Sequence, residues 1–373
     1  LLLFALPATA EEPVDLELIN QIRHEGFENS QVMEIAGHLT NVIGARVTGS
    51  PAMTRANEWT RDQLTEYGLE NARLEGYEFG RGWDWQSCRV DLLGDNPRSL
   101  SAIPQAWTPG TDGPVRGGVI RVEAESAEDL EDFEGDVAGK FVLISPVREV
   151  EPTEDPSFRR RSDESLMDLC SFEIPEEDSG PTWTERSKKL FAFRAALDDW
   201  MHENGGLGII DHSSRDHGIL RVPRGAQPDD PEMRNLPAIT MATEQYNRLV
   251  RLAEAGDEVE LEIEIDARFH GNRDSEAFNT LAEIPGRGKK NEVVMVGAHL
   301  DSYHAGTGAT DNAAGCAVMM EAVRILQAID ARPERTIRIA LWSGEEQGLL
   351  GSEAWVRQHL ATRPAPTDSA TLA

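Results

Sequence analysis

The stretch Val293-Val294-Met295-Val296-Gly297-Ala298-His299-Leu300-Asp301, followed by Asp311-Asn312 and then by Ile339-Ala340-Leu341-Trp342-Ser343-Gly344-Glu345-Glu346, decides the fold. Its first four residues form an apolar run that ends in a histidine and an aspartate, the pattern of a buried strand stopping at a polar edge. From Asn312 to Ile329, Cys316, Met319, Met320, Val323 and Leu326 recur at helical spacing. Asp311 stands just ahead as a cap, and Arg332-Pro333 ends the helix. Thr336 to Trp342 reads as a second strand. Strand, helix and strand in this order make a βαβ crossover, whose parallel strands bring both carboxyl ends to one sheet edge. Open α/β sheets bind ligands at that edge. The expected fold is α/β, with a mixed, largely parallel sheet flanked by helices.

On that edge His299, Asp301, Asp311, Glu345 and Glu346 can converge. Neutral imidazole and carboxylate oxygens suit zinc or a similar divalent ion, and one carboxylate can bridge two ions. Asp311 is the best bridging candidate. Asp301 is placed to accept the other ring N–H of His299 and fix its tautomer. Of the adjacent glutamates, one can bind metal while the other takes a proton from water. Each signal alone is weak: a His-x-Asp is common, a Glu pair after a strand is often a helix start, and Asp311 could be only a cap. Their conjunction at one predicted edge carries the reading.

Three motifs, Gly297-Ala298-His299-Leu300-Asp301-Ser302, Gly308-Ala309-Thr310-Asp311-Asn312-Ala313-Ala314-Gly315 and Gly344-Glu345-Glu346-Gln347-Gly348-Leu349-Leu350-Gly351-Ser352, resemble the zinc exopeptidase family of bacterial leucyl aminopeptidases and carboxypeptidase Q. The likeness is closer to the carboxypeptidase Q branch. Ala45-Arg46-Val47-Thr48-Gly49-Ser50, Phe278 to Ile284 and Arg332 to Thr336 support it. The resemblance implies a metallo-exopeptidase with two zinc ions, other divalent metals being compatible, that hydrolyses short peptides or dipeptides. It gives His299, Asp311 and Glu346 as metal ligands, Glu345 as general base and Asp301 as the group that orients His299. Two other outcomes of the same fold are weighed: a binding protein that has lost ligands, and a cyclase of N-terminal glutamine. Retention of both glutamates argues against the first.

The resemblance also calls for a further Asp and a further His. His359 reads as a surface or capping histidine, and Asp368 sits in a proline-broken stretch. The sequence is therefore expected to be a fragment that lacks the last part of its catalytic domain and is inactive alone. At the other end, residues 1–10 read as a signal-peptide remnant, with Ala8-Thr9-Ala10 as a cleavage site, so the mature protein is expected to be exported to a periplasm or secreted.

Sixty-six acidic against 36 basic side chains give a formal net charge of −30, which disfavours nucleic acid and anionic membrane as partners. The expected partner is a short peptide, and the resemblance points to a homodimer. Cys88, Cys170 and Cys316 show no Cys-x-x-Cys spacing, which removes thiolate metal sites. Cys316 reads as a small core residue. A Cys88–Cys170 bridge is compatible with an oxidising compartment, but nothing requires it.

The peptidase domain is expected to span 11–100 and 271–373. Its first part should hold helices at Gln31 to Val42 and Ala52 to Tyr67 and strands near Leu74 to Phe79 and Cys88 to Leu93. Residues 101–270 read as a β-rich insert, with short strands such as Gly118 to Val122, Gly139 to Ile144, Gly208 to Ile210 and Val259 to Ile265 and a helix from Phe191 to Asn204. This order resembles a protease-associated domain, more weakly than the metal motifs resemble theirs. Val147 to Arg186 reads as a long surface loop, and His24, His38, His202, His212 and His217 as surface or packing residues. Trp83 and Trp85 could line a cleft, although buried structural aromatics are commoner.

Overall fold

A computed structural model describes residues 14–152, 160–171, 183–223, 225–228 and 236–361. The expected signal remnant and Asp368 lie outside the described residues. The chain divides into two compact units, residues 1–82 with 274–373 and residues 83–273.

The first unit opens with α1 (Leu16–Glu28), α2 (Val32–Gly37), a single wide turn from His38 to Ile43, α3 (Pro51–Glu66) and β1 (Glu70–Glu78). Helix α3 starts where expected for physical reasons. Ser50 accepts the Met53 N–H through its side chain, and Pro51 at the first helical position has no N–H to leave unpaired.

The second unit carries β2 (Gly82–Leu92), β3 (Arg98–Ser99), β4 (Ala102–Pro104), β5 (Val115–Arg121), α4 (Ala127–Glu131), β6 (Lys140–Leu143), α5 (Asp163–Cys170), α6 (Trp183–Glu203), β7 (Gly208–His212), β8 (Ala238–Met241), α7 (Thr243–Glu254) and β9 (Glu260–His270). Its strands form one eight-stranded sheet in the order β3-β2-β9-β5-β6-β7-β8-β4. The unit begins at Trp83 and not near residue 100, because β2 pairs with β3 and β9 of this sheet. Buried Trp83 donates its indole N–H to Thr108 O at 2.8 Å and is a packing residue of this unit. The segment from Val147 to Arg186, expected as loop, contains α5 and the start of α6, with 153–159 and 172–182 outside the described residues. Cys88, Cys170 and Cys316 are all free thiols, so the Cys88–Cys170 bridge does not form.

The chain then returns to the first unit with β10 (Glu276–Ile284), β11 (Lys289–His299), α8 (Ala314–Ala328), β12 (Arg335–Trp342) and α9 (Leu350–His359). The four strands run in the order β1-β10-β12-β11. β11 and β12 are parallel, as the crossover requires, but β1 with β10 and β10 with β12 are antiparallel. The sheet is thus mostly antiparallel, not largely parallel. The motif stretch defines only its own crossover, and the pairing of β10 is a long-range choice that local pattern does not encode. β11 is also an edge strand of the four: Val293, Val294 and Met295 are exposed, where the sequence suggested a buried strand.

Alternation along the strands sends side chains to two faces. Ala282, Ile284, Ile339 and Leu341 pack with residues of α2, α3 and α8, among them Ile35, Met53, Leu64, Cys316 and Met320. Leu281, Ala340 and Trp342 pack on Trp355 of α9 from the other face. The result is a sheet with helices on both sides. No helix among the described residues is long and apolar enough to cross a membrane.

Candidate active site

The parallel register of β11 and β12 aligns His299 with Trp342, so the polar residues that follow each strand emerge side by side. Leu300 N–H donates to Trp342 O at 2.6 Å and extends the ladder past the histidine. The chain then turns at Gly344, whose φ of +70° suits a residue without a side chain, and presents Glu345 and Glu346.

Asp301 is fully buried at the centre of this junction. Its Oδ1 accepts the Glu345 N–H at 3.3 Å, and its Oδ2 accepts the Glu346 N–H at 3.2 Å and the Thr48 hydroxyl at 3.1 Å. His299 Nδ1 lies 3.1 Å from the main-chain O of Asp301 and 3.5 Å from its Oδ1. With Nδ1–H directed at Asp301, Nε2 is turned toward the acids: 2.8 Å from Asp311 Oδ1 and 3.8 Å from Glu345 Oε2.

Asp311 reaches His299 from Ala309–Ala313, a wide turn in which Asp311 and Asn312 have non-helical backbone and are joined by a cis peptide bond. Asp311 does not cap α8. Asn312 takes that part, accepting the Gly315 N–H at 3.1 Å through its side chain. Cys316, one turn into α8, donates its thiol to His299 O at 3.1 Å, and burial pushes that thiol up to about 12, which keeps it protonated. His359 lies outside this group, paired with Glu75 and packed against Trp355.

The electrostatics fit a cation. Burial pushes Glu346 up to about 7, and the nearby charges of Asp301 and Asp311 add to it while His299 opposes them. For His299, burial favours the neutral ring, but the hydrogen bond and charge of Asp301 and the charge of Glu345 outweigh it and raise the imidazole to about 9. One imidazole among crowded carboxylates is the donor set that zinc takes. Among the described residues, His299, Glu345 and Glu346 form the group able to hold a metal ion, with one ligand atom from each lying within 4.8 Å of the others. Asp311 stands beside this group, touching His299, with its side chain mostly exposed.

Two residues that the motif reading left without a role take part. Thr48 bonds Asp301, and Arg46 bonds the main chain of Leu300 and Gly308. Both lie in the Ala45–Ser50 segment, whose likeness to the family was their only signal in the sequence.

Residues 279–370 match the family model described as Peptidase family M28. Carboxypeptidase Q of Rattus norvegicus is 26% identical over 350 residues, 94% of this chain and 66% of that protein. Carboxypeptidase Q of Homo sapiens is 31% identical over 321 residues, 86% of this chain and 60% of that protein. The crystal structure of a Peptidase M28 precursor from Shewanella amazonensis SB2B aligns with a TM-score of 0.60 at 23% identity, covering 92% of this chain and 70% of that one, a likeness of fold. The chain spans about two thirds or less of the length of these two relatives.

Proposed function

We propose that this protein is a metallo-exopeptidase that hydrolyses short peptides, in the manner that the names of its relatives describe. The observation that carries the reading is the convergence of His299, Glu345 and Glu346 at the shared end of β11 and β12, with Asp311 Oδ1 2.8 Å from the same imidazole nitrogen. The finer assignment is a pair of zinc ions, with His299, Asp311 and Glu346 as ligands. A bound divalent ion lowers the pKa of water to about 7 and polarises a carbonyl oxygen.

The residues of the chain supply the rest. Asp301 holds Nδ1–H of His299, so Nε2 is the nitrogen that would bind a cation once the proton it shares with Asp311 is displaced. Glu345 is the general base: its carboxylate extends from the turn that Asp301 pins and is only partly exposed, within reach of water. Three carboxylates free to face cations, Asp311, Glu345 and Glu346, beside a single imidazole favour two cations over one. We also propose that the protein is exported, that it forms a homodimer, and that residues 83–273 serve as a protease-associated-like module.

The test combines metal content with hydrolysis of a panel of dipeptides and aminoacyl substrates. In the full-length enzyme, chelation should abolish hydrolysis and added zinc restore it. Glu345→Gln should keep its metal and lose hydrolysis. Undiminished hydrolysis by Glu345→Gln would overturn the assigned base, and activity indifferent to chelation would overturn the class.

A further inference from the structure

The residues of the site come from three separate motifs, and one short segment ties all three. Arg46 is completely buried, and its guanidinium donates to five main-chain carbonyls. Nε bonds Leu300 O at 2.6 Å, Nη1 bonds Leu39 O at 3.2 Å, Gly44 O at 2.8 Å and Thr307 O at 2.9 Å, and Nη2 bonds Gly308 O at 3.0 Å. Leu300 lies between His299 and Asp301, and Thr307-Gly308 leads into the turn that carries Asp311. The Arg46 main chain exchanges bonds with Ser302, its N–H donating to Ser302 Oγ at 3.0 Å and its O accepting Ser302 N–H at 3.1 Å. Gly308 must be glycine here: its φ is +61°, and a Cβ would meet Ser302 Cβ at 2.4 Å and Arg46 Nη2 at 2.8 Å. Two residues on, buried Thr48 donates to Asp301 Oδ2 at 3.1 Å and accepts the Gly344 N–H at 3.0 Å.

We propose that Arg46 and Thr48 are positioning residues, a brace that sets the spacing of His299, Asp311 and the Glu345-Glu346 turn without touching the ion; this rests on the metal-site reading above. Arg46 links the strand that ends in His299 to the approach to Asp311, and Thr48 links Asp301 to the turn that presents the glutamates. A buried guanidinium is tolerated only when its donors are satisfied, and the fixed fork of arginine reaches several carbonyls at once where a lysine ammonium cannot. A residue that only filled space would have no need of this polar geometry. Its acceptors are also the residues on which the site's spacing depends.

The test measures zinc affinity of the chain by competition with a chelator, together with the melting temperature of the metal-free protein. Thr48→Val keeps the side-chain shape and removes the hydroxyl; it should weaken zinc binding by about 10- to 100-fold, the usual effect of removing a group that supports metal ligands. Thr48→Ser restores the hydroxyl and should restore affinity. Arg46→Lys should weaken zinc binding in the same direction, and if it fails to fold the threonine pair decides. A Thr48→Val variant that melts lower but binds zinc as tightly as wild type would show a merely structural residue and overturn the brace. So would a Thr48→Ser variant as weak as Thr48→Val. If the wild-type chain takes up no zinc, the site reading falls and the brace with it.

Discussion

Asp301 Oδ2 accepts the main-chain N–H of Glu346 at 3.2 Å, so the residue two places beyond the site histidine also holds the turn that carries the site glutamates. Its other oxygen takes the Glu345 N–H, and both lie in a fully buried pocket with the Thr48 hydroxyl. Asp301→Ala leaves two main-chain donors and a hydroxyl without their acceptor. It should lower stability by roughly 2–4 kcal/mol, read as a shift in denaturant midpoint. Asp301→Asn, which keeps one acceptor oxygen, should cost less. An Asp301→Ala protein as stable as wild type would contradict this bonding.

Gly351 controls the approach of α9 to the same turn. A Cβ there would lie 2.2 Å from Ser343 O and 2.3 Å from Asn279 Oδ1. Ser343 opens the turn to Glu345, and Asn279 Oδ1 accepts the Ser343 N–H at 3.0 Å. Gly351→Ala should therefore cost about 1–3 kcal/mol by overpacking and also weaken metal binding. Unchanged melting and metal affinity would show that α9 can retreat freely.

In the second unit, burial pushes Asp198 up to about 6, against the opposing charge of Arg194 and the Leu236 N–H. Folding thus favours the neutral acid. The stability gained is fully present below the ordinary aspartate value and is lost as pH rises through about 6, a change of about 3 kcal/mol. Asp198→Asn imitates the neutral form. It should raise the unfolding free energy at pH 7.5 and bring little or no gain near pH 4. An equal effect at both pH values would refute the assignment.

The site was more legible in the sequence than the sheet around it. His299, Glu345 and Glu346 follow strand ends whose apolar runs and polar stops are local signals, and one parallel register suffices to bring them together. The helix start was misplaced because Asp311 and Asn312 are both good caps, and only the backbone turn decides that Asn312 serves α8 while Asp311 faces His299. The antiparallel pairing of β10 with β12 depends on contacts between Thr280 and Leu341, residues 61 positions apart, which no periodicity records. The strand expected near Cys88 to Leu93 falls in the peptidase domain on the sequence reading because nothing local tells which unit it joins. Only its partners, β3 and β9, assign it. Arg46 has no role in the motif reading because its five carbonyl partners lie up to 262 positions away and meet it only in the fold.

The central claim is that one imidazole and its neighbouring carboxylates hold a divalent cation. Elemental analysis of the purified protein, loaded with zinc and dialysed, tests it most directly beside His299→Ala treated in the same way. The wild-type chain should retain zinc, and His299→Ala should lose most or all of it while staying folded. Equal zinc in both proteins, or none in either, would contradict the account.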